Sequence, residues 1–99
     1  MITVASKRTG ATGEYIGRPS VLGNPFMVKP HGPYERGETI ELYRKWLNDQ
    51  IHENESVVKE LQRLCDLDRE GDLTLVCWCA PLPCHGDVVK SCIEWMNSY

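Results

Sequence analysis

Cys77, Cys79, Cys84, His85 and Asp87 bring three thiols, an imidazole and a carboxylate into one short segment, Cys77-Trp78-Cys79-Ala80-Pro81-Leu82-Pro83-Cys84-His85-Gly86-Asp87. Two chemistries suit the set. The first is metal binding, because Cys77, Cys79, Cys84 and His85 are all acceptable zinc ligands. Spacing works against it if Cys77 and Cys79 share a strand. Alternate strand residues stand about 6.6 Å apart, whereas tetrahedral zinc with bonds of about 2.3 Å holds its sulfurs about 3.8 Å apart. The second is ligand chemistry at a helix start. There the unsatisfied amides and the helix dipole favour the Cys84 thiolate. The same field favours neutral His85, an acceptor or general base. Gly86 lets a ligand approach the backbone, and Asp87 either caps the helix or binds a ligand hydroxyl. Cysteine is also a common core residue, and Cys65 and Cys92, on apolar helix faces, are expected simply to pack.

A second constellation lies in Gly17-Arg18-Pro19-Ser20-Val21-Leu22-Gly23-Asn24-Pro25-Phe26. The planar fork of Arg18 suits phosphate or carboxylate. Ser20 and Asn24 add hydrogen-bonding groups, and the prolines reduce the entropy lost in holding them still. Lys7 and Arg8 would lie at the same sheet edge as Cys84 if the first and last strands are parallel.

The elements that must position these groups follow from periodicity. Ile2 to Ser6 alternates and predicts a strand, and Glu14 to Gly17 a second, short one. Residues 18–37 carry too many prolines and glycines for a helix, so a packed loop is expected, with a short strand at Phe26-Met27-Val28. Thr39 to Asn48 predicts a helix capped by Thr39, with Ile40, Tyr43, Trp46 and Leu47 inward. Glu55 to Leu67 predicts a second helix, with Val57, Val58, Leu61, Leu64 and Cys65 on one side. Leu73 to Cys79 reads as a buried strand. His85 to Asn97 reads as a last helix with Val88, Val89, Cys92, Ile93, Trp95 and Met96 inward. Residues 1–99 thus form one small α/β domain, a short, mostly parallel sheet with flanking helices, minimally Rossmann-like.

Composition bounds the function. Hydrophobic residues make up 41% and charged residues 25%, with no apolar run long enough to span a membrane. The formal net charge of −3 argues against bulk nucleic acid as partner. Local positive charge early in an acidic chain suits a small anionic ligand. Five cysteines, an odd number, without a secretory leader point to thiols rather than a disulfide frame.

The two constellations carry a family likeness. The chain resembles an uncharacterised family of small bacterial and bacteriophage proteins marked by a GRPS-x-LGNPF motif, here Gly17 to Phe26, and a CWCAPLPCHGD motif, here Cys77 to Asp87. Tyr43-Arg44-Lys45-Trp46-Leu47 fits that family's tyrosine-x-x-tryptophan-leucine segment. The resemblance implies a bacterial or phage origin and no reaction. The cysteine-histidine turn is also similar to that of another uncharacterised α/β family with a cysteine-glutamate…cysteine-histidine-arginine motif, in which Gly86 replaces the arginine.

The expectation is a domain that binds a nucleotide or related phosphorylated small molecule between the Arg18–Asn24 loop and the Cys84–Asp87 helix start. Arg18 would hold the anion, with Ser20 adding hydrogen bonds. Asn24 and Asp87 would bind polar ring or sugar groups, and Gly86 would permit close approach. A hydrolase- or transferase-type step would use His85 as base and Cys84 as nucleophile or electrostatic partner, with no cofactor. The competing expectation is an interaction module, either held by zinc on Cys77, Cys79, Cys84 and His85 or docking on a host protein through Trp46, Trp95 and Tyr99. A cytoplasmic location is expected, the host's if the chain is viral.

Overall fold

A computed structural model of the chain describes residues 1–78 and 84–98. Strand β1 spans Ile2–Ser6 and β2 Glu14–Tyr15; helices α1 (Arg36–Glu53) and α2 (Glu55–Glu70) follow, then strand β3 (Leu73–Cys77) and helix α3 (His85–Met96). The three strands are parallel in the order β1-β3-β2. Ile2 is paired with Leu73 and Ser6 with Cys77, while Glu14 and Tyr15 flank Leu75 and Val76 on the other side. The α/β class and the parallel sheet expected from periodicity are therefore present.

The central strand explains the layering. Successive strand side chains point to opposite faces. Leu73, Leu75 and Cys77 enter the main core with Val88, Val89 and Ile93 of α3 and Leu61 and Leu64 of α2. The three helices pack on one another, and α3 also covers β1 and β3. Val76, on the opposite face, is buried as well. The link between β1 and β2 passes over β3 at this level. Gly13 comes so close to it that a Cβ there would sit 2.5 Å from the Thr74 carbonyl oxygen, a crossing only glycine permits.

Several boundaries differ from those the sequence predicts. Helix α1 starts at Arg36, ahead of Thr39, because the Glu35 backbone N–H donates to the Glu38 carboxylate at 3.0 Å and caps the extra turn. Thr39 is buried instead, its hydroxyl donating to the Arg36 carbonyl at 2.8 Å. Asn54 closes α1 and opens α2: its N–H donates to the Gln50 carbonyl at 2.7 Å and its side-chain oxygen accepts from Ser56 N at 3.0 Å. Helix α1 thus runs on to Glu53, and α2, which starts at Glu55 as expected, continues past Leu67 to Glu70, where the Gly71 N–H donates to the Leu67 carbonyl at 3.2 Å. The expected strand at Phe26–Val28 is a single bridge between Val28 and Tyr34. Trp95, expected inward, is 62% exposed. Cys79, the last residue of the expected third strand, and Tyr99, part of the expected docking face, lie outside the described residues.

Candidate functional site

All three strands deliver their carboxyl ends to one edge of the sheet, the edge where open α/β sheets bind ligands. β1 runs into Lys7 and Arg8, β2 into Ile16, Gly17 and Arg18, and β3 into Trp78. A cleft of about 550 Å³ opens there, within the size range of small-molecule sites. Its near wall holds Arg8, Tyr15, Arg18 and Trp78; its floor holds Cys84 and His85; its far wall is the loop from Asn24 to His31 together with Arg36 and Thr39.

The near wall is tied together by aromatic side chains. The Trp78 indole N–H donates to the Tyr15 hydroxyl at 3.1 Å, and that hydroxyl donates to the Arg18 carbonyl at 2.8 Å. The Lys7 ammonium stands 4.7 Å from the Tyr15 ring centroid and 5.8 Å from that of Trp78, within cation–π range. Trp78 remains half exposed beside the opening.

The loop from Gly17 to Phe26 is a chain of turns. Ser20 N donates to the Gly17 carbonyl and Gly23 N to the Ser20 carbonyl, each at 2.8 Å. The Asn24 side-chain oxygen accepts from Phe26 N at 2.9 Å. Ile16 and Leu22 are fully buried and anchor the loop. Tyr43 of α1 holds it from beneath, its hydroxyl donating to the Leu22 carbonyl at 2.6 Å. Burial, with lesser contributions from Cys92 and Cys84, pushes the Tyr43 phenol far above its ordinary range, so it stays a neutral donor.

The floor is the start of α3. Cys84 is its N-cap: its Sγ accepts from Gly86 N at 3.3 Å, and its own N–H donates to the Asp87 carboxylate at 3.1 Å. Its sulfur also lies 3.3 Å from that of Cys77. His85 is buried, its ring edge-on to Tyr43 with centroids 5.1 Å apart. Its Nε2 lies 2.8 Å from the Ile16 carbonyl oxygen. A carbonyl only accepts, so Nε2 is the donor and carries a proton.

Of the residues singled out from the sequence, Arg18, Asn24, Cys84 and His85 share this cleft. Three others are used differently. The Ser20 hydroxyl accepts from Leu22 N at 3.2 Å and shapes the loop. Gly86 is buried against the sheet: a Cβ there would meet Val4 at 2.8 Å, so glycine brings the helix close to β1 rather than a ligand close to the helix. Asp87 is exposed, caps α3 and lines a separate shallow surface beside β1. Among the described residues no three His, Cys, Asp or Glu side chains are grouped to hold a metal ion; Cys79 of the zinc set lies outside them.

The charge of the cleft is one-sided. Arg8, Arg18, Lys29 and Arg36 line it, and among the described residues no carboxylate does. Every arginine elsewhere is ion-paired: Arg44 to Glu41 at 3.6 Å, Arg63 to both Glu14 and Glu60 at 2.6 Å, and Arg69 to Asp66 at 3.6 Å. Those carboxylates hold the Arg63 guanidinium well above its usual range. Arg8, Arg18 and Arg36 have no carboxylate partner among the described residues; Lys29 pairs with Glu35 at 2.8 Å. In a chain with 14 acidic residues, three guanidinium groups without carboxylate partners around one cleft leave a positive field for an anion.

Arg36, Tyr15 and Trp78 belong to the cleft without having been marked in the sequence. Arg36 lies ahead of Thr39, the helix start that the sequence predicts. Tyr15 and Trp78 look like core aromatics when read by periodicity alone.

The model of one protein family, a domain of unknown function (DUF4326), matches residues 3–95. The chain belongs to that family. The matched span takes in both motifs and every residue named around the cleft. No curated protein and no solved structure matches the chain.

Proposed function

We propose that the cleft at the carboxyl edge of the sheet binds a nucleotide or a closely related phosphorylated small molecule. The observation that carries this reading is the set of three arginines, Arg8, Arg18 and Arg36, which line one cleft without a carboxylate partner, while the other arginines are paired. Each comes from a different segment: the link after β1, the loop after β2 and the first turn of α1. Guanidinium groups converging from separate segments suit phosphate oxygens, which they bind as planar forks. Tyr15 and Trp78 on the same wall supply flat apolar surface for a base. The Asn24 amide supplies polar contacts to base or sugar edges.

A hydrolytic or group-transfer step on the bound ligand would draw on the floor. Cys84, at the helix N-terminus, is the nucleophile or electrostatic partner, and His85 is the base through Nδ1. Ser20, Gly86 and Asp87 act in shaping the loop and the helix start.

Thermal melting with a panel of adenosine, AMP, ATP, GTP, inorganic phosphate and pyrophosphate tests the proposal. A rise in Tm with at least one phosphorylated member, absent with adenosine and abolished in Arg18→Ala, is the expected result. A flat response across the whole panel overturns it.

A further inference from the structure

We propose that Cys77 and Cys84 form a peroxide-sensitive dithiol that closes to a disulfide at the floor of the cleft. The two sulfurs are 3.3 Å apart, one at the last residue of β3 and the other at the N-cap of α3. Closure to a bond of about 2.05 Å requires an approach of only about 1.2 Å. The pair is the nearest sulfur contact among the described residues; the others, Met96 with Cys65 and with Cys92, are 3.8 and 4.0 Å and involve a thioether.

The two cysteines are not equivalent, and the difference sets their roles. Cys84 lines the cleft and its sulfur receives the Gly86 N–H at 3.3 Å. A helix N-terminus and a cationic cleft both favour its thiolate. Cys77 is wholly buried behind it. A hydroperoxide small enough to enter the cleft meets Cys84 first. The Cys84 thiolate attacks one peroxide oxygen, the O–O bond breaks, and the other oxygen leaves as hydroxide and takes up a proton to become water. The Cys84 sulfenic acid is then attacked by the Cys77 sulfur; the S–O bond breaks, the S–S bond forms, and the sulfenic oxygen departs as a second water with the Cys77 proton. Two thiols are oxidised by two electrons and one peroxide is reduced to two waters. A cellular dithiol would reverse the step.

The device does not depend on what the cleft binds. A disulfide would take the Cys84 sulfur from Gly86 N and fasten the end of β3 to the start of α3. It would also remove the nucleophile assigned to Cys84.

Peroxide titration of the purified, reduced chain tests the proposal. One equivalent of hydrogen peroxide is expected to lower the thiols counted after denaturation from five to three. Intact mass should fall by two hydrogens, and dithiothreitol should restore both. Peptide mapping of Cys79→Ser after chymotryptic cleavage should join the Cys77 peptide to the Cys84 peptide. In Cys77→Ser the reaction should stop at a Cys84 sulfenic acid trapped by dimedone, which the wild type does not accumulate. Three results overturn it: a crosslink that maps to Cys79 in the wild type and vanishes in Cys79→Ser, retention of all five thiols in excess peroxide, or a stoichiometric metal that keeps both sulfurs unreactive. If Cys77→Ser fails to fold, the mapping of wild type and Cys79→Ser decides. None of these readouts uses a nucleotide, so they stand apart from the test of ligand binding.

Discussion

His85 Nε2 and the Ile16 carbonyl oxygen lie 2.8 Å apart, a contact that joins the two segments richest in unusual residues. Ile16 directly precedes the Gly17–Phe26 motif and His85 belongs to the Cys77–Asp87 motif. The hydrogen bond fixes the ring's tautomer and its orientation. It also places the Arg18 loop against the α3 start, which is why the two motifs border one cleft.

Arg8→Ala, Arg18→Ala and Arg36→Ala should each weaken binding of a phosphorylated ligand about tenfold or more, as loss of a hydrogen bond to a charged group of about 1.5–3 kcal/mol implies. None should lower the unfolding midpoint appreciably, because none is ion-paired among the described residues. Calorimetric titration and urea unfolding of the same three variants measure both quantities. Raising the salt concentration should weaken binding in the wild type more than in any variant.

Trp78 should report occupancy of the cleft. Its indole is half exposed and hydrogen-bonded to Tyr15. Binding of a nucleotide should quench or shift the fluorescence of the wild type, and Trp78→Phe should lose that change although Trp46 and Trp95 remain. A response that survives in Trp78→Phe would place the ligand elsewhere.

Tyr43→Phe removes only a hydroxyl, yet that hydroxyl is the donor to the buried Leu22 carbonyl. Leaving the carbonyl without a partner costs about 1–3 kcal/mol. The expected signature is a lower urea midpoint with an unchanged slope, together with weaker ligand binding, because the loop carrying Arg18 and Asn24 loses its support.

Alkaline pH should destabilise the fold through two thiols. Burial raises the values of Cys65 and Cys92, with Arg69 opposing the rise at Cys65 and Cys65 adding to it at Cys92. The folded chain therefore holds these protons to higher pH than the unfolded chain does. The stability this confers is full below about pH 8.5, the ordinary thiol value, and is lost as pH rises beyond it. Melting temperatures measured from pH 7 to 10 should fall above that point, and Cys92→Ala should flatten the fall.

Much of the architecture is written locally. The alternation of Ile2 to Ser6, the apolar run from Leu73 and the helical spacing of Val57, Leu61 and Leu64 each report burial that the fold then uses. The convergence of Arg18 with Cys84 and His85 follows from the parallel strand order, which two separated strands and an intervening helical stretch already imply. Helix lengths are harder to read, because α1 gains its first turn from the Glu38 side chain and α2 runs past Leu67 through the polar residues Asp68, Arg69 and Glu70, not through apolar ones. The roles of Gly86 and Asp87 were illegible for another reason: a glycine that admits a ligand and one that admits Val4 look alike until the neighbour is placed. Arg8, Arg18 and Arg36 all precede the acidic stretch from Glu53 to Asp72, but only tertiary contacts distinguish them from the paired Arg44, Arg63 and Arg69.

The strand order has a consequence for synthesis. β1 and β2 emerge within the first fifteen residues, but each is hydrogen-bonded to β3 and not to the other. Both must wait, unsatisfied, until Leu73–Cys77 arrives between them, a separation that slows folding and leaves strand edges open meanwhile. A ribosome-tethered fragment ending before Leu73 would contain α1 and α2 and all four of the cleft's cations, Arg8, Arg18, Lys29 and Arg36, yet no sheet to bring them together.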